Sequence, residues 1–365
     1  MKILPRLVFL LFLILSISCQ QDLRNEDAVN TFELSIDGEY DSEFPVKPVA
    51  KYLTKISESV HLLSVLAFYQ SYHFERDANI RKEDLLYIDL DEKAADKLVF
   101  EQPASGTASL IYFDKKRIAF LTCAHIVQFP DTVINYYRNS DNEETNIVKS
   151  FIYKVRQTNN VINQPVAYDF QILAVDQTND IAIIGKKAIT GTEFRLDTEM
   201  DKKTRPPLLV LDTPLGKASD LQFSTFVYII GFPQAKKMVS TAIVSSPDYD
   251  RQNSFILDAT LQKGISGGLV LAIRDGVPNF EVVGITKAIS GRTEYSLAPY
   301  RKAQLSEWDL YKPYKGEIYL EKRDLAEPGM TFAVGIETIL EFIKKNESAL
   351  LNAGYLSENF FKRLY

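Results

Sequence analysis

The stretch LQKGISGGLVLA, Leu261 to Ala272, sets three glycines and one hydroxyl between two apolar runs. Two readings are open for it. It is a tight turn between strands, or it clears the backbone so that Ser266 can reach a reacting group. A serine hydroxyl is a poor nucleophile by itself. It needs a base to take its proton, a group to orient that base, and N–H donors for the oxyanion. If Ser266 is a nucleophile, its base and the group that orients that base must come from elsewhere in the chain.

Outward from this stretch the chain is a succession of short β-rich runs. They include TASLIYF, RIAFLTCA, IVKSFIYKV, FQILAV, IAIIG, PLLVL, FVYIIG, STAIVSS, SFILDA, GLVLAI, FEVVGIT and TFAVGI, most of them separated by turn residues. Many short strands without intervening helices predict an all-β fold, barrel or sandwich. The last run leads into IETILEFIKKNESALL, an amphipathic pattern with Ile336, Ile339, Leu340 and Ile343 on one face. Upstream, Val49 to Phe74 has apolar residues at Leu53, Ile56, Val60, Leu63 and Ala67, which predicts a helix carrying His61 and His73 as packed or surface residues.

The third histidine, His125, ends an apolar strand in FLTCAHIV. Asp180 follows a turn and opens an apolar strand in TNDIAIIG. Asp169 and Asp176 are rival acids, but only Asp180 directly precedes the IAII strand. The chain order His125, Asp180, Ser266 is that of the chymotrypsin class rather than of subtilisin or the α/β-hydrolases.

On these residues the sequence resembles a trypsin-like (chymotrypsin-fold) serine protease of the bacterial high-temperature-requirement type. LTCAHIV resembles the T-A-A-H block, NDIAII the D-I/L-A-x-L block, and GISGGLV the G-x-S-G-G-P block. FILDATLQKGISGG, EVVGITKAI and GMTFAVGIETILEFI resemble further blocks of that group. The resemblance implies two six-stranded antiparallel β-barrels, with an N-terminal helical segment and a C-terminal helix. It implies Ser266 as nucleophile, His125 as base and Asp180 as its orienting acid. The N–H groups of Gly264 and Ser266 would form the oxyanion hole, and Thr260 would sit at the base of the substrate pocket, where it cannot neutralise a basic side chain. Ile265 stands where zymogen-type relatives carry an Asp that pairs with a newly made N-terminus. A protein or peptide substrate and a homo-oligomer are implied as partners.

The first residues, MKILPRLVFLLFLILSISCQQD, read as a secretory signal, because the apolar run from Leu7 to Leu15 is short for a membrane span. Cys19 is the expected lipidation site, although Ser16-Ile17-Ser18 also suits plain signal cleavage. Either way the chain is expected to be exported, and with lipidation it is anchored to the membrane of a bacterial envelope. The expected layout is a signal peptide over 1–18, a polar tether over 19–47, a helical segment over 48–96, a protease domain over 97–350 and a tail over 351–365. Barrel one would span about 97–195 and barrel two about 205–336. An insertion at 290–328 carries Tyr295, Tyr300, Trp308, Tyr311, Tyr314 and Tyr319, and is read either as a substrate gate or as a loop packing on its own barrel. The residues after the final helix are too few for a PDZ domain.

The chain has 42 basic against 48 acidic residues and no basic stripe, which argues against a nucleic-acid partner. With only Cys19 and Cys123, lipidation of Cys19 would leave no intrachain disulfide, and Cys123 reads as a small buried strand residue. No metal-ligand spacing, phosphate loop or dinucleotide fingerprint is present, so neither cofactor nor metal is expected. Two functions remain open: an exported serine endopeptidase, or a catalytically silent member of the fold that binds peptides or protein partners.

Overall fold

The computed structural model describes residues 36–114, 116–162, 169–188, 209–250, 253–259, 262–299 and 318–361. The expected signal peptide, Cys19, most of the expected tether and Thr260 lie outside them, as do residues 300–317 at the centre of the expected insertion. Residues from Glu39 onward form one compact unit.

The fold is all-β, with thirteen strands among the described residues in two antiparallel systems. The first is a curled seven-stranded sheet of β1 (Val60–His73), β2 (Asp96–Asp114), β3 (Arg117–Thr122), β4 (Thr132–Arg138), β5 (Glu144–Val161), β6 (Gln171–Asp176) and β7 (Ile181–Lys187), in the order β4-β5-β1-β2-β3-β7-β6. The second is a closed barrel of β8 (Phe226–Gly231), β9 (Met238–Ser246), β10 (Ser254–Asp258), β11 (Leu269–Ile273), β12 (Phe280–Pro299) and β13 (Ile318–Gly335), in the order β10-β13-β12-β11-β8-β9. The helices are α1 (Ala50–Ser57), α2 (Leu90–Lys93), α3 (Ala124–Val127), α4 (Ile336–Lys345) and α5 (Glu347–Asn352).

The helix expected over Val49–Phe74 is corrected. Only Ala50–Ser57 is helical, and Val60–His73 is a strand paired along its whole length with β2, from Val60↔Ser109 to His73↔Asp96. The buried face is Leu63, Val65, Ala67, Tyr69 and Ser71, a period of two. Leu63 and Ala67 fit a helical face and a strand face equally, because a spacing of four is even. The segment is thus the third strand of the first sheet, which begins at Val60 rather than near residue 97 and has seven strands instead of six.

Strands β8 and β11 are apolar throughout because both of their faces are covered. Val227, Ile229, Val270 and Ala272 fill the closed barrel with Phe255, Leu257 and Val283. The alternate residues Tyr228, Ile230, Leu269 and Leu271 join the core of the first sheet, with Leu110, Phe120 and Ile183. The two systems thus share one core across the outer face of β8 and β11. In α4, Ile336, Ile339, Phe342 and Ile343 are buried, while Leu340, expected on that face, is exposed. The tail folds back: Tyr355 and Phe360 are buried against Tyr112, and the Phe361 N–H donates to the Ile111 carbonyl. The insertion lengthens two strands into a ribbon, paired from Gly291↔Ala326 to Pro299↔Ile318.

Candidate active site

Strand β3 carries buried residues up to Cys123, where the chain turns into the single-turn helix α3. Ala124, Ile126 and Val127 are buried, which leaves His125 as the residue facing out, its side chain half exposed. Asp180 closes the turn between β6 and β7 in the left-handed region, at φ 58°. Asp is among the few residues that accept this conformation readily.

Asp180 holds His125 at two points and its neighbour Ala124 at a third. Its Oδ2 lies 2.6 Å from His125 Nδ1, its Oδ1 accepts from the His125 main-chain N–H at 2.8 Å, and its carbonyl accepts from the Ala124 N–H at 3.3 Å. A carboxylate has no proton to give, so the proton of this contact sits on Nδ1, and Nε2 is left as the acceptor nitrogen. That is the tautomer a general base needs. The rival acids are committed elsewhere. Asp176 caps the β6–β7 turn through the N–H groups of Thr178 and Asn179 and the Asn179 amide. Asp169 accepts from the Asn159 N–H.

Ser266 lies half-buried on the loop before β11, between Gly264 at φ 100° and Gly267 at φ 82°. Both glycines sit where L side chains are strained. A Cβ on Gly264 would collide with the Phe232 carbonyl, and one on Gly267 with the Thr107 carbonyl. The Ser266 carbonyl accepts from the Thr107 N–H at 2.7 Å. Gly106 joins the two halves of the site: a Cβ there would collide with Ile126 of α3 and come within 3.0 Å of the Ser266 carbonyl. The structure thus brings His125 and Asp180 into direct contact and sets the Ser266 loop beside α3. Among the described residues it places no hydrogen bond between Ser266 and His125. It also gives the N–H groups of Gly264 and Ser266 no acceptor among the described residues.

A cavity of about 430 Å³ opens beside the base, lined by Ala124, His125, Gln128, Phe129, Pro130, Asp131, Gln177 and Asp180. Cys123, His125 and Asp180 also offer three ligand atoms within 4.8 Å of one another. They suit a metal poorly. The carboxylate is already engaged by His125, and burial, with the Asp180 charge adding, pushes the Cys123 thiol well above its ordinary range and so keeps it protonated. The thiol donates to the Thr286 carbonyl at 3.3 Å.

Residues 106–285 match the family model of a trypsin-like peptidase domain. No curated protein matches the chain. The matched region starts in β2 and ends in β12, and His125, Asp180 and Ser266 all fall inside it. It omits β1, which belongs to the first sheet, and the tail, which packs on that sheet's core. Two residues of the matched region escaped the sequence reading. Thr107 and Thr286 are wholly buried and both bind the Ser266 loop. Thr107 stands between Ser105 and Ser109, and Thr286 stands beside Lys287, so neither hydroxyl was conspicuous in the sequence.

Proposed function

We propose that the chain is a serine endopeptidase that hydrolyses peptide bonds through an acyl-enzyme. Ser266 attacks the scissile carbonyl carbon. His125 Nε2 takes the hydroxyl proton and returns it to the leaving amine, while Asp180 stabilises the imidazolium. The N–H groups of Gly264 and Ser266 receive the oxyanion, and one such donor contributes about 3 kcal/mol. Water then repeats the sequence on the acyl-enzyme. No cofactor takes part.

The observation that carries this reading is the Asp180 grip on His125, which fixes a base tautomer beside a glycine loop bearing one serine. The missing Ser266–His125 bond favours the second reading, an occluded binding protein, although such bonds commonly tighten only once substrate is bound. A fluorophosphonate probe decides between them. Labelling of the folded protein that is lost in both Ser266→Ala and His125→Ala supports the peptidase. No labelling of folded wild-type protein supports the silent form.

The same proposal places the enzyme in a bacterial envelope, acting on exported proteins and anchored through a lipid on Cys19. Among the described residues no helix is long and apolar enough to cross a membrane. Intact mass of the processed N-terminus tests the anchor: a lipid adduct on Cys19 supports it, and an unmodified Cys19 overturns it.

A further inference from the structure

An oxyanion donor is useful only if its peptide plane faces the right way. In a planar trans peptide the N–H and the preceding C=O point in opposite directions, so whatever holds the carbonyl aims the N–H. The Gly264 N–H shares its plane with the Lys263 carbonyl, which accepts from the Gln234 N–H at 2.8 Å. The Ser266 N–H shares its plane with the Ile265 carbonyl, which accepts from the Thr286 hydroxyl at 2.7 Å and the Gly268 N–H at 2.6 Å. Both donors are thereby turned away from the buried scaffold.

Two hydroxyls hold this arrangement from opposite sides. Thr107, in the first sheet, donates from Oγ1 to the Gly264 carbonyl at 2.9 Å and accepts there from the Phe232 N–H at 2.9 Å. It thus ties the nucleophile loop to the segment that supplies the Gln234 N–H. Thr286, in the closed barrel, adds a second bond from the Gly268 N–H to its Oγ1 at 3.1 Å and exchanges two main-chain bonds with the loop. Both threonines are fully buried. Between them the Ile265 side chain is 1% exposed, in the barrel core against Gly231. Nothing in this loop awaits a new charge.

We propose that Thr107 and Thr286 are positioning residues that lock the Gly264–Gly268 loop in its donor-presenting form, so that the protein is active without proteolytic activation. The inference rests on the peptidase reading above. Valine keeps the shape of threonine and removes the hydroxyl. Thr107→Val and Thr286→Val should each lower kcat by about 10- to 100-fold, on the scale of a misplaced oxyanion donor. KM should stay within about threefold, and Thr→Ser at the same positions should restore most of the loss. The purified wild-type protein should react with a fluorophosphonate while its intact mass shows no chain cleavage beyond removal of the expected signal peptide over 1–18.

Val variants that fold and keep wild-type kcat would overturn the positioning role, as would a loss confined to KM. Should a Val variant not fold, the Ser variant carries the test: a folded Thr107→Ser or Thr286→Ser protein with kcat as low as a Ser266→Ala background also overturns it. Wild-type labelling that appears only after the chain is cut overturns constitutive activity while leaving the peptidase reading intact. Absence of labelling both before and after limited proteolysis overturns the peptidase reading itself.

Discussion

His125 stands half in solvent and is fixed by one carboxylate from the neighbouring turn of the same sheet, whereas the loop around Ser266 is threaded between two buried threonines from different strand systems. The base can therefore be altered with little consequence for folding. The loop cannot, because its anchors are also core contacts. The two halves of one site should respond to substitution in different currencies, the first in rate and the second in stability.

The sharpest separation comes from the polar half. Ser266→Ala and His125→Ala should each lower hydrolysis by about 10⁴-fold or more while leaving the denaturation midpoint in place. Asp180→Asn keeps a residue tolerant of the left-handed turn but cannot hold Nδ1 protonated, so kcat should also fall by about 10⁴-fold. Asp176→Asn, on the same turn, should leave kcat within about threefold. Peptide hydrolysis measured beside urea unfolding checks all four. A large midpoint shift in Ser266→Ala would break the comparison.

On the buried side Gly267→Ala should lower unfolding free energy by roughly 2–4 kcal/mol, since the new Cβ meets the Thr107 carbonyl in a strained backbone region. Urea titration reads this directly, and a stability loss under 1 kcal/mol would show that the loop is less tightly clamped than its contacts imply.

Acid probes the buried histidine of the first sheet. His61 is fully buried, and burial, with the Lys237 charge adding, pushes its pKa from 6.5 down to about 3. The unfolded chain therefore takes up this proton before the folded one does. Stability contributed by neutral His61 is intact above pH 6.5 and is lost as pH falls from there toward 3. A His61→Leu variant should show a shallower fall in stability across that window, by up to one proton per molecule. An unchanged slope would mean that His61 does not drive acid unfolding. The smallest effect belongs to Cys123, whose buried thiol should resist iodoacetamide at neutral pH until the chain unfolds. Rapid alkylation of native protein would show that α3 opens.

The site was more legible than the scaffold around it. His125, Asp180 and Ser266 were each ordinary when taken alone, and their chain order with the blocks around them is what marked them as candidates. Asp180 was separable from Asp169 and Asp176 because only it abuts a buried strand. The first strand was not legible, since Leu63 and Ala67 satisfy two periodicities and only pairing with Asp96–Ser109 selects one. Thr107 and Thr286 were hidden for a related reason. Their partners are main-chain carbonyls far away in sequence, and a carbonyl leaves no mark on the residue that bears it. The seven-stranded count followed from β1 and so was missed with it. Thr260, the expected pocket base, lies outside the described residues.

Tyr355 and Phe360 pack on Tyr112 with ring centres 5.1 and 5.2 Å away, inside a sheet whose last strand is complete by Lys187. On the ribosome, then, all seven strands of that sheet emerge well before the aromatic side chains that close its core. The hydroxyl-bearing loop and the barrel behind it are likewise made after the base. Order of synthesis thus works as a clock: the parts of the site exist early, but the rigid frame that holds them in register is finished only once Phe360 has been made.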